Sequence, residues 1–260
     1  YISYVDRGLA YKALRKYDQA IADFTKAIEI RPTDKNNYVN RGFAYIAHEQ
    51  YDLAISDCTR GIEIDANYSE AYTCRGLSYM GQENYDLALV DINRSIEINP
   101  GEREVFFTRG YIYGFQGKND LAIADYTKAI EIDPEYSCAY LQRGAIYTRL
   151  GNYEAAISDY DKALDIDSNY KDAYIWRGNA HADIKEFTKA IADYQKALSI
   201  YPNPKADAYV YCVQGVTYTK MGDFEAAIVS LEHGVILYES EDVEWCRIAL
   251  EDARKGIPTP

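Results

Sequence analysis

The 260-residue chain lacks any apolar run near the roughly 18 residues that a membrane-crossing helix requires, so membrane insertion is not expected. It also lacks a basic surplus. Lys and Arg total 28 against 41 Asp and Glu, a formal net charge of −13. That balance argues against nucleic acid or an anionic membrane as the main partner, since both need a basic face. No signal-peptide pattern opens the sequence, which favours the cytoplasm. The chain starts at Tyr1 and not at Met, as an excised segment or a processed form would.

Chemistry-bearing motifs are missing too. The three histidines, His48, His181 and His233, stand far apart with no ligand spacing around them, so no metal site is expected. There is no phosphate-binding loop, no dinucleotide turn and no nucleophile elbow. Neither a cofactor nor catalysis is expected of this chain. Cysteine is scarce: Cys58, Cys74, Cys138, Cys212 and Cys246 are odd in number and irregularly placed. They read as reduced, partly buried thiols and not as a disulfide framework.

Tyrosine, by contrast, is plentiful at 27 residues, supplying large apolar bodies with polar tips. The chain also holds a strict internal period. The dipeptide Arg-Gly recurs at Arg7-Gly8, Arg41-Gly42, Arg75-Gly76, Arg109-Gly110, Arg143-Gly144 and Arg177-Gly178, each time after 34 residues. A seventh copy, Gln214-Gly215, follows after 37, the extra three residues fitting the loop "YPNPKAD". Each unit carries two helical patterns, as in "AYLQRGAIYTRLG" and "YEAAISDYDKALDI". In the second, Tyr153, Ala156, Ile157, Tyr160, Ala163 and Leu164 recur at helical spacing. Short connections, with Gly117, Gly151 and Gly222 among them, make the two helices antiparallel neighbours.

These units resemble the tetratricopeptide repeat over almost the whole chain. The first unit supplies Tyr4, Gly8, Tyr11, Ala20, Phe24, Ala27 and Pro32, and the fifth supplies Tyr140, Gly144, Tyr147, Ala156, Tyr160 and Ala163. The resemblance implies an all-α, right-handed α-solenoid of antiparallel helix pairs. Its seven units would be 1–34, 35–68, 69–102, 103–136, 137–170, 171–204 and 208–241, with a capping helix over 242–257. For that cap the sequence suggests Ser240 as N-cap, Val243, Cys246, Leu250 and Ala253 as the buried stripe, and Gly256 and Pro258 as the stop.

The slot that the family usually fills with Leu is Arg in six units. Asp23, Asp57, Asp91, Asp125, Asp159 and Asp193 recur at the same interval, and the seventh unit loses both partners to Gln214 and Ser230. A buried Arg without a partner is costly, so paired presence and paired loss predict a structural ladder of ion pairs.

The resemblance also implies which side chains face the inner surface of the superhelix. On the first helices these are slot 5 (Val39, Thr73, Phe107, Leu141, Ile175), slot 9 (Phe43, Leu77, Tyr111, Asn179) and slot 13 (Phe115, Arg149), with Asn40 and Trp176 beside them. Phe107, Tyr111 and Phe115 lie at i, i+4 and i+8, at the centre of a largely apolar strip. Such a strip suits an extended peptide or an amphipathic helix. The competing expectation is burial between adjacent first helices, mainly at slot 9. The carboxylate clamp of chaperone-binding members is missing: of its positions only Asn40 matches, while Val5, Leu9, Glu70 and Cys74 do not. The function implied is a protein-interaction scaffold. Two alternatives are self-association into a homo-oligomer, and an interaction module attached to an enzyme domain.

Overall fold

The computed structural model describes residues 2–237 and 244–257. Among the described residues there are fifteen α-helices and no strand. The chain divides into two compact units, Tyr1–Asp133 and Pro134–Pro260. The first holds α1 (Ile2–Ala13), α2 (Tyr17–Ile30), α3 (Lys35–Ala47), α4 (Tyr51–Ile64), α5 (Ser69–Gly81), α6 (Tyr85–Ile98), α7 (Arg103–Phe115) and α8 (Asn119–Ile132). The second holds α9 (Ser137–Arg149), α10 (Tyr153–Ile166), α11 (Lys171–Asp183), α12 (Phe187–Ser199), α13 (Pro204–Met221), α14 (Phe224–Leu237) and α15 (Glu244–Arg254). Within each unit consecutive helices pack as neighbours, an α-solenoid built of helix pairs.

Local chemistry fixes where the helices begin and turn. Asp34, Asn84, Asn152 and Asn203 each cap a helix by accepting a backbone N–H. In α13 Pro204 takes the first turn, where its missing N–H costs nothing. The tight turn inside each pair needs one left-handed residue. Gly117, Gly151 and Gly222 supply it freely, whereas Arg15, Glu49, Glu83 and Lys185 adopt it despite their side chains.

Packing inside a pair is a ring set against a notch. Tyr160 on α10 is fully buried over Gly144 on α9, and a Cβ at Gly144 would come within 2.6 Å of the ring. Phe24, Tyr126 and Tyr194 fill the equivalent place in their own pairs.

The ladder is present in full. Arg7, Arg41, Arg75, Arg109, Arg143 and Arg177 each donate through Nε and Nη2 to both carboxylate oxygens of Asp23, Asp57, Asp91, Asp125, Asp159 and Asp193, at 2.6–2.9 Å. Those aspartates are all buried. The carboxylate hydrogen bond raises the pKa of Arg41, Arg75, Arg109 and Arg143 above the ordinary guanidinium value. A third donor, Nη1, reaches the second helix of the preceding pair: Arg41 to Thr25, Arg75 to Thr59, Arg109 to Asn93 and Arg177 to Asp161. Each of these arginines therefore closes its own pair and fastens that pair to the one before. In the seventh pair a neutral bond between Ser230 and Gln214, 3.3 Å long, stands in its place.

The cysteines depart from the expectation of reduced thiols. Cys58 pairs with Cys74 and Cys212 with Cys246, leaving Cys138 as the free thiol among the described residues. The reason lies in the stacking, which sets Cys58 on α4 against Cys74 sixteen residues on in α5, and Cys212 on α13 against Cys246 thirty-four residues on in α15. Titrating thiols in denaturant without reductant should accordingly count one per chain, and five after reduction. Five without reductant would return the cysteines to the reduced state.

α15 buries Cys246, Ala249, Leu250 and Ala253 against Cys212, Ala227 and Leu231. Ser240, Val243 and Pro258, assigned above to its capping and stripe, lie outside the described residues.

Candidate functional site

In the first unit the exposed faces of α3, α5 and α7 carry half-buried Phe43, Leu77 and Tyr111, with Asn40 beside them. Phe115, at the end of α7, keeps 62 % of its surface in solvent. Its ring lies 4.8 Å from that of Tyr111 and stacks on Tyr85, the first residue of α6, at 6.1 Å. Phe107 behaves differently: it is half buried and leans on the buried Tyr126 ring at 5.6 Å. The surface cluster is thus Tyr85, Tyr111 and Phe115, while Phe107 leans on the buried Tyr126. Across the same unit the Lys12 ammonium sits over the Phe43 ring at 5.5 Å, and burial lowers its pKa.

Slot 5 does not line a groove. Val39 is 2 % exposed, Leu141 4 % and Ile175 5 %, each inside a core cluster. The expectation that these three face a ligand is corrected by what stands opposite. Gly61, Ala163 and Ala197 on the second helices leave room, and a Cβ at Gly61 would already be 2.9 Å from Val39. Thr73 is likewise turned inward, with its Oγ1 2.8 Å from Ser95 Oγ. Burial therefore falls mainly on slot 5 and not on slot 9, where the competing expectation placed it.

In the second unit Arg149 is exposed at the end of α9, and Trp176 on α11 is 42 % exposed. Asn179, one turn beyond Trp176, donates through Nδ2 to the Tyr209 hydroxyl at 3.0 Å and accepts from the Tyr194 hydroxyl at 2.9 Å. Tyr209 meets Trp245 edge-on, ring centroids 6.2 Å apart. Sequence reasoning missed Tyr209 and Trp245. The signal was available, since the chain has only two tryptophans and a capping helix has no need of one at its outer edge.

Among the described residues no cluster of His, Cys, Asp and Glu could hold a metal ion, and no helix is long and apolar enough to cross a membrane. His181 is buried and hydrogen-bonded through Nδ1 to Glu186 at 2.8 Å, a packed histidine. The fold and its exposed chemistry define a repeat scaffold of the protein-interaction class, a fold that typically carries no catalysis. The chain belongs to the tetratricopeptide repeat family. One tetratricopeptide repeat profile matches residues 1–34, 69–102, 137–170 and 172–204. A second matches 36–68 and 208–239, and a TPR repeat profile matches 110–151.

Solved structures similar to the chain share this fold. PilF of Pseudomonas aeruginosa is 14 % identical with a TM-score of 0.72, covering 85 % of this chain and 96 % of its own. The C-terminal part of a TPR protein from Cytophaga hutchinsonii is 19 % identical with a TM-score of 0.69, covering 95 % and 99 %. YrrB, described as a TPR protein with an unusual peptide-binding site, is 23 % identical with a TM-score of 0.56, covering 69 % and 93 %. Comparison with curated proteins by sequence finds no match.

Proposed function

We propose that the protein binds a partner protein through an extended peptide or an amphipathic helix laid on the exposed first-helix faces. The observation that carries this is the Tyr85–Tyr111–Phe115 cluster. Phe115, 62 % exposed, meets the half-buried rings of both Tyr111 and Tyr85, and the three sit together at the surface of the helix stack. Exposed aromatic anchors on a fixed scaffold are the side chains that dominate binding energy at protein interfaces. Phe43 and Leu77 extend the apolar surface across the neighbouring helices, and Asn40 supplies a polar edge. A solved structure of the same fold is described as binding peptide at an unusual site, which supports the reading by analogy.

The test is capture of partners from the source lysate by wild type and by a Tyr111→Glu/Phe115→Glu variant. Circular dichroism melting checks that both are folded. Partners lost from a folded variant are the expected result. An unchanged partner set would remove this surface from the binding site, and an unfolded variant would mean the two rings serve the core.

A further inference from the structure

Both tryptophans of the chain lie in the second unit, and Trp176 and Trp245 are 42 % and 40 % exposed. Tyr209, 38 % exposed, is tied to the helix of the first and to the ring of the second. On α11, Trp176, Asn179 and Asp183 follow at i, i+3 and i+7, which places them on one helical face. The Asn179 amide reaches from that face to the Tyr209 hydroxyl on α13, and Tyr209 in turn meets Trp245 on α15. Tyr209 is thus joined to α11 through Asn179 and to the Trp245 ring on α15, while Trp176 stands half in solvent one turn from Asn179 on the same face, with the Asp183 carboxylate at the end of that stripe.

Elsewhere in this chain such rings hold a cation. Lys35 Nζ lies 4.2 Å from the centroid of Tyr68, and Lys171 Nζ lies 5.4 Å from that of Tyr201. Arg7, Arg143 and Arg177 stand over Tyr4, Tyr140 and Tyr174. Among the described residues no cation stands over Trp176, Tyr209 or Trp245. The π faces with the strongest attraction for a cation, those of tryptophan, are the ones left open. Asp183 fits the same chemistry. Loss of hydration raises its carboxyl pKa, with the charge of Lys220 pulling the other way, so a further positive group beside it would be favourable. Residues 205–260, which contain two of the three rings, hold ten acidic and five basic residues. Tyr209 is already held by Asn179, so little conformational freedom remains to be lost on binding.

We propose that Trp176, Tyr209 and Trp245 form a site for a cationic side chain of a basic peptide, arginine in particular, with Asp183 as its counter-charge. Arginine suits it better than lysine, because a planar, weakly hydrated guanidinium stacks on a ring while an ammonium keeps its water. The proposal rests on the protein being a peptide-binding scaffold and names the ligand class of its second unit. It is also the opposite of a carboxylate clamp, which takes acidic chain ends.

The site carries its own reporter, since both tryptophans are in it. Fluorescence titration with penta-arginine at about 0.15 M ionic strength, where loosely placed surface charge is screened, should give a saturable change. Penta-citrulline, of the same shape without the charge, should bind about tenfold more weakly or worse, as should the Trp176→Ala and Tyr209→Ala variants read through Trp245. Tyr111→Glu/Phe115→Glu, in the other unit, should bind penta-arginine as wild type does. No saturable change, or equal affinity for the citrulline peptide, overturns the site. So does full affinity in a folded Trp176→Ala variant, checked by circular dichroism. Should the fluorescence stay silent while the Tyr111 and Phe115 surface still captures partners, this site fails and the scaffold reading stands. Loss of both would overturn the two together.

Discussion

Replacing Arg109 with leucine should lower the unfolding free energy by about 3–5 kcal/mol, the usual cost of removing one partner from a buried ion pair. Asp125 is only 5 % exposed, and both of its oxygens accept from Arg109, at 2.7 Å each. Without the guanidinium the carboxylate stays buried and charged with its principal donors gone. Asn93 loses its bond from Arg109 Nη1 at the same stroke, which loosens the contact with the preceding pair. The seventh pair supplies the control, because there both partners are neutral. An Arg109→Gln/Asp125→Ser variant should therefore recover most of the loss. Urea unfolding followed by circular dichroism reads both. A single variant within about 1 kcal/mol of wild type would show that water already screens the pair, as it does for exposed ones. By the same comparison the exposed pairs Lys26–Glu29, Arg60–Glu63 and Lys128–Glu131 should matter little.

Tyr160→Ala comes second in size, at about 3–5 kcal/mol. The ring is fully buried and fills the notch that Gly144 leaves, so truncation opens a cavity that two packed helices cannot close. Tyr160→Phe keeps the ring and loses only the 3.0 Å hydroxyl contact with Thr148, worth about 1 kcal/mol. The two variants also differ in alkali. Burial pushes the Tyr160 phenol from 10.0 up to about 12, so the folded state favours the neutral form. Its contribution is complete below the unfolded value of 10.0 and is lost as pH rises through about 12. The Phe variant lacks that contribution, and its melting temperature should fall less steeply over the same interval. Parallel curves for wild type and Tyr160→Phe would show that other groups govern the alkaline limb.

The helix pairs and the ladder could be read from the sequence because each is carried by residues at a fixed interval. The loss of Arg and Asp together in the seventh unit distinguished a pair from two coincidences. Which first-helix side chains are exposed was less legible. Val39 and Phe43 are both apolar and both lie near the inner surface, and what separates them is Gly61, a residue on another helix. Slot numbers describe direction, whereas burial depends on the size of whatever stands opposite. The disulfide partners stayed hidden for a related reason. Cys58 and Cys74 belong to different repeats, and only stacking brings them together. Tyr209 was obscured by the three-residue insertion that shifts the seventh unit, and Trp245 by its place on a helix read as a cap.

The Nη1 bonds have a consequence for how the stack comes apart. A repeat array behaves as a row of coupled elements, each with its own stability and a coupling to its neighbour. Where an arginine spans two pairs, opening one weakens the other, so the pairs tend to open together. In the second unit that linkage runs through Arg177 to Asp161, and Gln214 does not continue it. The coupling thus drops at the seventh pair, where Cys212–Cys246 instead ties α13 to α15 by a covalent bond. Within the second unit the tie between neighbours is thus electrostatic at Arg177 and covalent at Cys212–Cys246. Reduction would therefore remove the covalent tie between α13 and α15 and leave that junction to the apolar packing of Ala249, Leu250 and Ala253, while the arginine bonds of the earlier pairs stay in place.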